Sequence, residues 1–172
     1  MNEQVVLVNE KDEVIGTMDK MQAHLEPILH RAFSVCLFNK HGEILLQKRA
    51  SDKYHCPGLW TNTCCSHPRM NEDVIDAAKR RLQEEMGIVC DIHKSFHFIY
   101  EVQLGNGLYE HELDHVFMGE FSGEPQINPI EVEDCKYLSL QAIEHEMANS
   151  PGKFTPWFKI IIEKLKEKQI GF

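Results

Sequence analysis

The sequence predicts an α/β (α+β) fold with helices packed on the faces of a mixed β-sheet. Three observations carry this. Several short β-rich runs precede one charged central helix, and more strands follow it. The 172 residues, 42% of them hydrophobic, suffice for one well-buried core. No internal repeat, low-complexity segment or linker divides them, so residues 1–172 read as a single domain.

In order along the chain, Gln4 to Val8 and Val14 to Met18 are apolar runs around the polar turn Asn9-Glu10-Lys11-Asp12, which predicts a hairpin. Arg31 to Phe38 is β-rich, and Asn39-Lys40-His41-Gly42 turns it into Glu43 to Lys48, the strongest hairpin signal in the sequence. A loop from Pro57 carries the adjacent cysteines Cys64 and Cys65 and leads into the charged helix. That helix should start near Asn71 as N-cap, with Glu72 and Asp73 at the positive end of its dipole, and should end at Gly87. At about 100° per residue, Ile75, Ala78, Leu82 and Met86 form one apolar face, with Arg81 and Glu85 on its flank. Ile88 to Tyr100 and Leu108 to Phe121 read as long strands split by Gly105-Asn106-Gly107. Pro125 to Pro129 is a loop, Lys136 to Leu138 a short strand and Leu140 to Ala148 a helix. The last helix, Pro156 to Lys168, buries Trp157, Ile161 and Leu165 and exposes a Lys/Glu face.

Charge and composition exclude several function classes. A net charge of −9 disfavours a general nucleic-acid or anionic-membrane binder, because phosphate-rich surfaces attract basic faces. No apolar run reaches the roughly 18 residues of a membrane span, and the N-terminus lacks a basic-then-apolar leader, so a cytoplasmic protein is expected. The six cysteines, Cys36, Cys56, Cys64, Cys65, Cys90 and Cys135, have no paired CxxC spacing and form neither a zinc ribbon nor a disulfide framework.

Chemistry-bearing residues flank the central segment. His24, His30, His67, Glu110 and Glu112 are imidazoles and carboxylates of the kind that suit a divalent transition metal. Glu110 and Glu112 alternate on a strand and so share a face. Taken singly, each reads more readily as a surface His or a solvent-facing Glu than as a ligand. Lys20, Arg49, Lys53 and Arg81 are cations in an acidic chain, and Arg81 suits either a phosphate or an ion pair with Glu84 or Glu85. Trp157, Tyr100 and Trp60 suit core packing by default.

Counted back from Gly87, the spacing resembles the Nudix box: Gly, five residues, Glu, seven residues, Arg-Glu, apolar, any, Glu-Glu, any, Gly. Glu72, Arg80, Leu82, Glu84, Glu85 and Gly87 match it, whereas Ser66 replaces the first Gly and Arg81 replaces the Glu after the box Arg. The preceding loop, Trp60-Thr61-Asn62 then Cys65-Ser66-His67-Pro68, resembles the active-site segment of the type I isopentenyl-diphosphate isomerases, Nudix-fold enzymes that are not hydrolases.

That resemblance implies a Nudix-type α/β/α sandwich and interconversion of isopentenyl and dimethylallyl diphosphate by protonation and deprotonation of the alkene. It implies a transition-metal site of His24, His30, His67, Glu110 and Glu112, with zinc the first choice and manganese the second. It further implies Mg²⁺ on the substrate diphosphate, held by Glu85 and the backbone carbonyl of Cys65. Cys65, Glu112, Tyr100 and Trp157 fall at catalytic positions, and Lys20, Arg49 and Lys53, with Arg81 as a further candidate, at diphosphate-binding ones. Nearby helix amides and metal charge should lower the Cys65 pKa and supply a thiolate. The partner is then a small diphosphate, with no nucleic acid and no membrane. Two other readings compete: a Nudix pyrophosphohydrolase acting on a small diphosphate, which gives Cys65, His24 and His30 no task, and a non-enzymatic Nudix-fold binding module, which has no need of the charged residues.

Overall fold

The sheet is built outward from the most apolar run of the chain. The computed structural model describes residues 3–171. β1 (Gln4–Val8) and β2 (Val14–Asp19) form the expected antiparallel hairpin. A short helix the sequence reading did not assign, α1 (Lys20–Leu25), follows directly, capped by Asp19, whose carboxylate accepts from Gln22 N at 3.1 Å. Six residues carry too little periodicity to announce a helix.

Strand β3 (His30–Phe38) is the spine. One edge pairs in parallel with β8 (Leu108–Glu120), from His30 opposite Glu112 to Phe38 opposite Glu120. Its other edge meets three strands in succession: β1 at His30, β6 (Cys64–Ser66) from Phe33 to Val35, and β4 (Ile44–Arg49) at Phe38 alone. The predicted Arg31–Lys48 hairpin therefore opens just beyond its turn. β4 instead runs along β9 (Val132–Leu138), and also pairs with β5 (Trp60–Thr61). β5 and β6 replace the loop expected there. β7 (Ile92–Gly105) completes the sheet against β8, starting four residues later than the sequence suggests, and β9 is longer than its expected Lys136–Leu138.

Side-chain alternation on β3 fills two cores, as a strand buried on both faces must. Phe33, Val35 and Leu37 join Ala77, Ala78, Leu82 and Met86 of helix α2 (Val74–Met86). Cys36 on the opposite face joins Phe158, Ile161 and Leu165 of α4 (Pro156–Glu167) and Ile143 of α3 (Leu140–Asn149). An α/β/α sandwich results.

The N-cap of helix α2 lies two residues later than predicted. Asn71 sits in the left-handed region (φ 63°) and belongs to the preceding turn, and Asp73 is the N-cap. Glu72 is drawn away from helix capping: its carboxylate accepts from Arg69 N at 2.8 Å and from Arg80 Nε and Nη2 at 2.7 and 2.9 Å. This bidentate pair fastens the loop to the helix. Ile75 is only half-buried, and Ala77 takes its place on the core face. Gly87 ends α2 as expected, at φ 64°, where an added Cβ would lie 2.7 Å from the Gln126 carbonyl oxygen. Among the described residues no helix is long and apolar enough to cross a membrane.

Candidate active site

At one end of the β3–β8 pair, imidazoles and carboxylates converge. His24 lies in α1 and its Nδ1 is 2.6 Å from the Lys20 carbonyl oxygen; His30 opens β3 with Nδ1 2.8 Å from the Ile28 carbonyl oxygen. A carbonyl can only accept, so each Nδ1 carries the hydrogen and each Nε2 presents a bare lone pair. Both Nε2 atoms are buried without a hydrogen-bond partner and face carboxylates: His24 lies 3.0 Å from Glu110 Oε2 and His30 lies 3.4 Å from Glu112 Oε1. His67 Nε2 is 2.9 Å from that same Glu112 oxygen. Glu110 and Glu112 alternate on β8 and point together, as the sequence pattern requires.

Lone pairs facing carboxylates in a buried site repel unless a cation lies between them, and backbone-anchored Nδ1–H groups are the support that metal-ligating imidazoles use. His24, His30, His67 and Glu112 place one donor atom each within 4.8 Å of one another, as do His24, His55 and Glu110. The donor set fits a divalent metal. Burial lowers the pKa of His24 and brings His67 down to about 4, against the opposing pull of Glu112, leaving both imidazoles neutral and able to ligate. Burial and the neighbouring Glu112 charge raise Glu110 well above the usual carboxylate range. Burial would raise Glu112 too, but the adjoining His30 and His67 imidazoles hold it well below that range.

The cluster forms part of the wall of a small cavity of about 70 Å³, which Cys65, Arg49, Lys20, Lys53, Arg81, Glu85 and Trp157 also line. The Cys64-Cys65 pair is sorted by β6: Cys64 enters the α2-side core, and Cys65, opposite Ser34 of β3, faces the other way toward the cavity. The protein's own groups do not by themselves supply the expected thiolate. Burial pushes the Cys65 thiol up to about 12, Glu85, Asp114 and Glu112 raise it further, and Arg49, with Nη1 3.9 Å from Sγ, offsets only part of this.

Arg49 is nearly buried, stacked 5.5 Å over the Trp157 indole, with Nε unpartnered. Lys20 pairs with Glu3 at 3.0 Å and Lys53 with Glu131. Of the two readings of Arg81, the geometry favours the ion pair: it reaches Glu84 at 2.7 Å, Glu85 at 2.6 Å and Glu131 at 3.2 Å. Glu85 also accepts from Gln47 Nε2 at 2.9 Å and stands apart from the His/Glu cluster. Tyr100 does not line the cavity. Its hydroxyl donates to Glu112 Oε2 at 2.6 Å from the α4-side core. Trp60 packs beneath Lys136, whose Nζ is 4.3 Å from the ring centroid, and takes no part in the cavity.

One residue of the site and one buried beside it escaped sequence reasoning. His55 places Nε2 3.1 Å from Glu110 Oε1, and no spacing motif marks it. Asp114 is buried, accepts from Ser34 Oγ at 2.8 Å, and is raised well above the usual range by burial and by Glu112. The strand alternation that pairs Glu110 with Glu112 extends to Asp114 and was the available signal.

The NUDIX domain family model matches residues 28–158. The chain is 48% identical over 170 residues to an isopentenyl-diphosphate Delta-isomerase 2 of Photorhabdus laumondii, covering 99% of this chain and 96% of that protein. It is 46% identical over 165 residues to an isopentenyl-diphosphate Delta-isomerase 2 of Aromatoleum aromaticum, covering 96% and 87%. Among solved structures, a protein of Deinococcus radiodurans superposes with a TM-score of 0.80 at 18% identity over 94% of this chain and 98% of that one, a likeness of fold. With 47% identity to a third such enzyme, from Pectobacterium atrosepticum, across 95% of this chain and 92% of that protein, the chain belongs to the isopentenyl-diphosphate Delta-isomerase family, built on a Nudix domain.

Proposed function

We propose that this chain interconverts isopentenyl diphosphate and dimethylallyl diphosphate by protonation and deprotonation of the alkene, serving isoprenoid biosynthesis as a single cytoplasmic domain. The observation that carries the reading is that Cys65, Glu112 and the cations Lys20, Arg49 and Lys53 all line one cavity, so that proton-bearing groups and a diphosphate anchor share a site. Six free cysteines suit a reducing compartment.

An alkene is a weak base, so the acid must be positioned and water kept from the cation. Adding a proton to the terminal CH₂ leaves a tertiary carbocation, and loss of a proton from the carbon on its diphosphate side completes the shift of the double bond. Cys65 and Glu112 are the two proton-exchanging groups, and they trade roles in the reverse reaction. Tyr100 holds Glu112 Oε2 through its hydroxyl, and His67 holds Oε1, so the carboxylate presents a fixed orientation. Trp157 lies over the reacting carbons, where its π face favours the cation. Arg49, Lys53 and Lys20 bind the diphosphate. A Zn²⁺ or Mn²⁺ in the His/Glu set would supply fixed positive charge beside Glu110 and Glu112, and Mg²⁺ at Glu85 and the Cys65 carbonyl would offset the diphosphate charge.

The hydrolase alternative requires metal-activated water aimed at phosphorus, and at the box position that would help to hold such a metal Arg81 is engaged by three carboxylates. Incubation with isopentenyl diphosphate and Mg²⁺ tests the choice: dimethylallyl diphosphate should accumulate without phosphate release. Phosphate release with the double bond unmoved would refute the isomerase reading.

A further inference from the structure

His55 belongs to no motif recognised above, yet the fold holds its imidazole in place, although its Nδ1 lacks the backbone partner that His24 and His30 have. The chain turns at Cys56, which adopts the left-handed region at φ 47°, an uncommon conformation for a residue with a side chain. Arg49 Nη2 donates to the His55 carbonyl at 3.2 Å, and the Tyr54 ring packs against the imidazole with centroids 4.4 Å apart. The imidazole is thereby buried with Nε2 3.1 Å from Glu110 Oε1, while His24 Nε2 lies 3.0 Å from Oε2. Glu110 is thus held between two imidazoles, and these three donor atoms lie within 4.8 Å of one another. His24 is common to this group and to the group containing His30, His67 and Glu112.

Hydrogen bonding alone satisfies this ring only when Glu110 carries a proton. Arg49 Nη2 approaches His55 Nε2 at 3.4 Å, and a donor there calls for a lone pair on Nε2; the carboxylate on the other side calls for a hydrogen. An Nε2 lone pair that faces a buried carboxylate is favourable when both bind one cation.

We propose that His55 is a further ligand of the divalent metal bound by His24, His30, His67, Glu110 and Glu112, so that six side chains of this protein serve one ion. This rests on the metal-site reading above and deepens it. Zinc usually takes four protein ligands, so a six-donor set suits an ion such as Mn²⁺ that accepts more.

The test is X-ray absorption on the Mn²⁺-loaded wild type, which should show four imidazoles per ion. His55→Leu should show three, and its Mn²⁺ dissociation constant, measured by chelator competition, should rise at least about 10-fold. His55→Gln, which keeps an amide donor for Glu110, should show the same loss; wild-type affinity in that variant would mean hydrogen-bond support only and would overturn the proposal. Three imidazoles in the wild type would overturn it while leaving the metal site in place. A wild type that binds neither Mn²⁺ nor Zn²⁺ would overturn the metal site as well. Should His55→Leu fail to fold, the wild-type imidazole count still decides.

Discussion

Tyr100 and Glu112 sit opposite each other on β7 and β8, and the tyrosine hydroxyl donates to Glu112 Oε2 at 2.6 Å. Burial and the adjacent carboxylates raise Tyr100 well above its usual pKa, so it remains a donor throughout the working range. On the proposed mechanism, in which the hydroxyl tunes a proton-exchanging carboxylate and does not touch the diphosphate, Tyr100→Phe should lower kcat by roughly 10- to 100-fold with little change in KM. Steady-state kinetics check this, and a defect confined to KM would contradict it.

The alternation on β6 gives adjacent cysteines different fates. Cys65→Ala should abolish isomerisation and leave unfolding by urea nearly unchanged. Cys64→Ala, which leaves a small void in the α2-side core, should retain activity and cost about 1 kcal/mol. Equal loss of activity in the two variants would refute this division.

Arg81 bridges Glu84 and Glu85 of α2 to Glu131 before β9, and Lys53 meets the same Glu131. Arg81→Glu would place a fourth carboxylate in that group. It should impair isomerisation at least 10-fold and destabilise the fold by about 3 kcal/mol, the usual cost of leaving a buried charge unpaired. Thermal unfolding and product analysis measure both. Wild-type stability in this variant would show that the pairs are dispensable.

His115 on β8 provides a pH dependence remote from the cavity. It is buried with Nε2 2.9 Å from Asp12 Oδ2, and burial, only partly opposed by Asp12, lowers its pKa from 6.5 to about 4. In the unfolded chain His115 takes up its proton first, so stability is full above pH 6.5 and falls as the pH drops from there towards 4. His115→Gln should flatten part of that slope. Urea unfolding at pH 7 and pH 4.5 measures the difference, and an unchanged slope would exclude the assignment.

By itself the sequence determined what periodicity and spacing can encode. Alternation put Glu110 and Glu112 on one face, a left-handed glycine ended α2 at Gly87, and the apolar positions of α4 picked out Trp157, Ile161 and Leu165 as buried. The Cys65-Ser66-His67-Pro68 segment likewise separated Cys65 from Cys64. Tertiary structure alone decided the contacts between distant segments. β6 inserts beside β3 where a simple hairpin was expected, because β4 gains a longer partner in β9. The parallel β3–β8 pairing brings His30 to Glu112 across about eighty residues of chain, and the turn at Cys56 delivers His55 to Glu110. Electrostatics followed the same rule. A thiol's pKa depends on what surrounds it, and the burial of Cys65 among Glu85, Asp114 and Glu112 exists only once the sheet has closed.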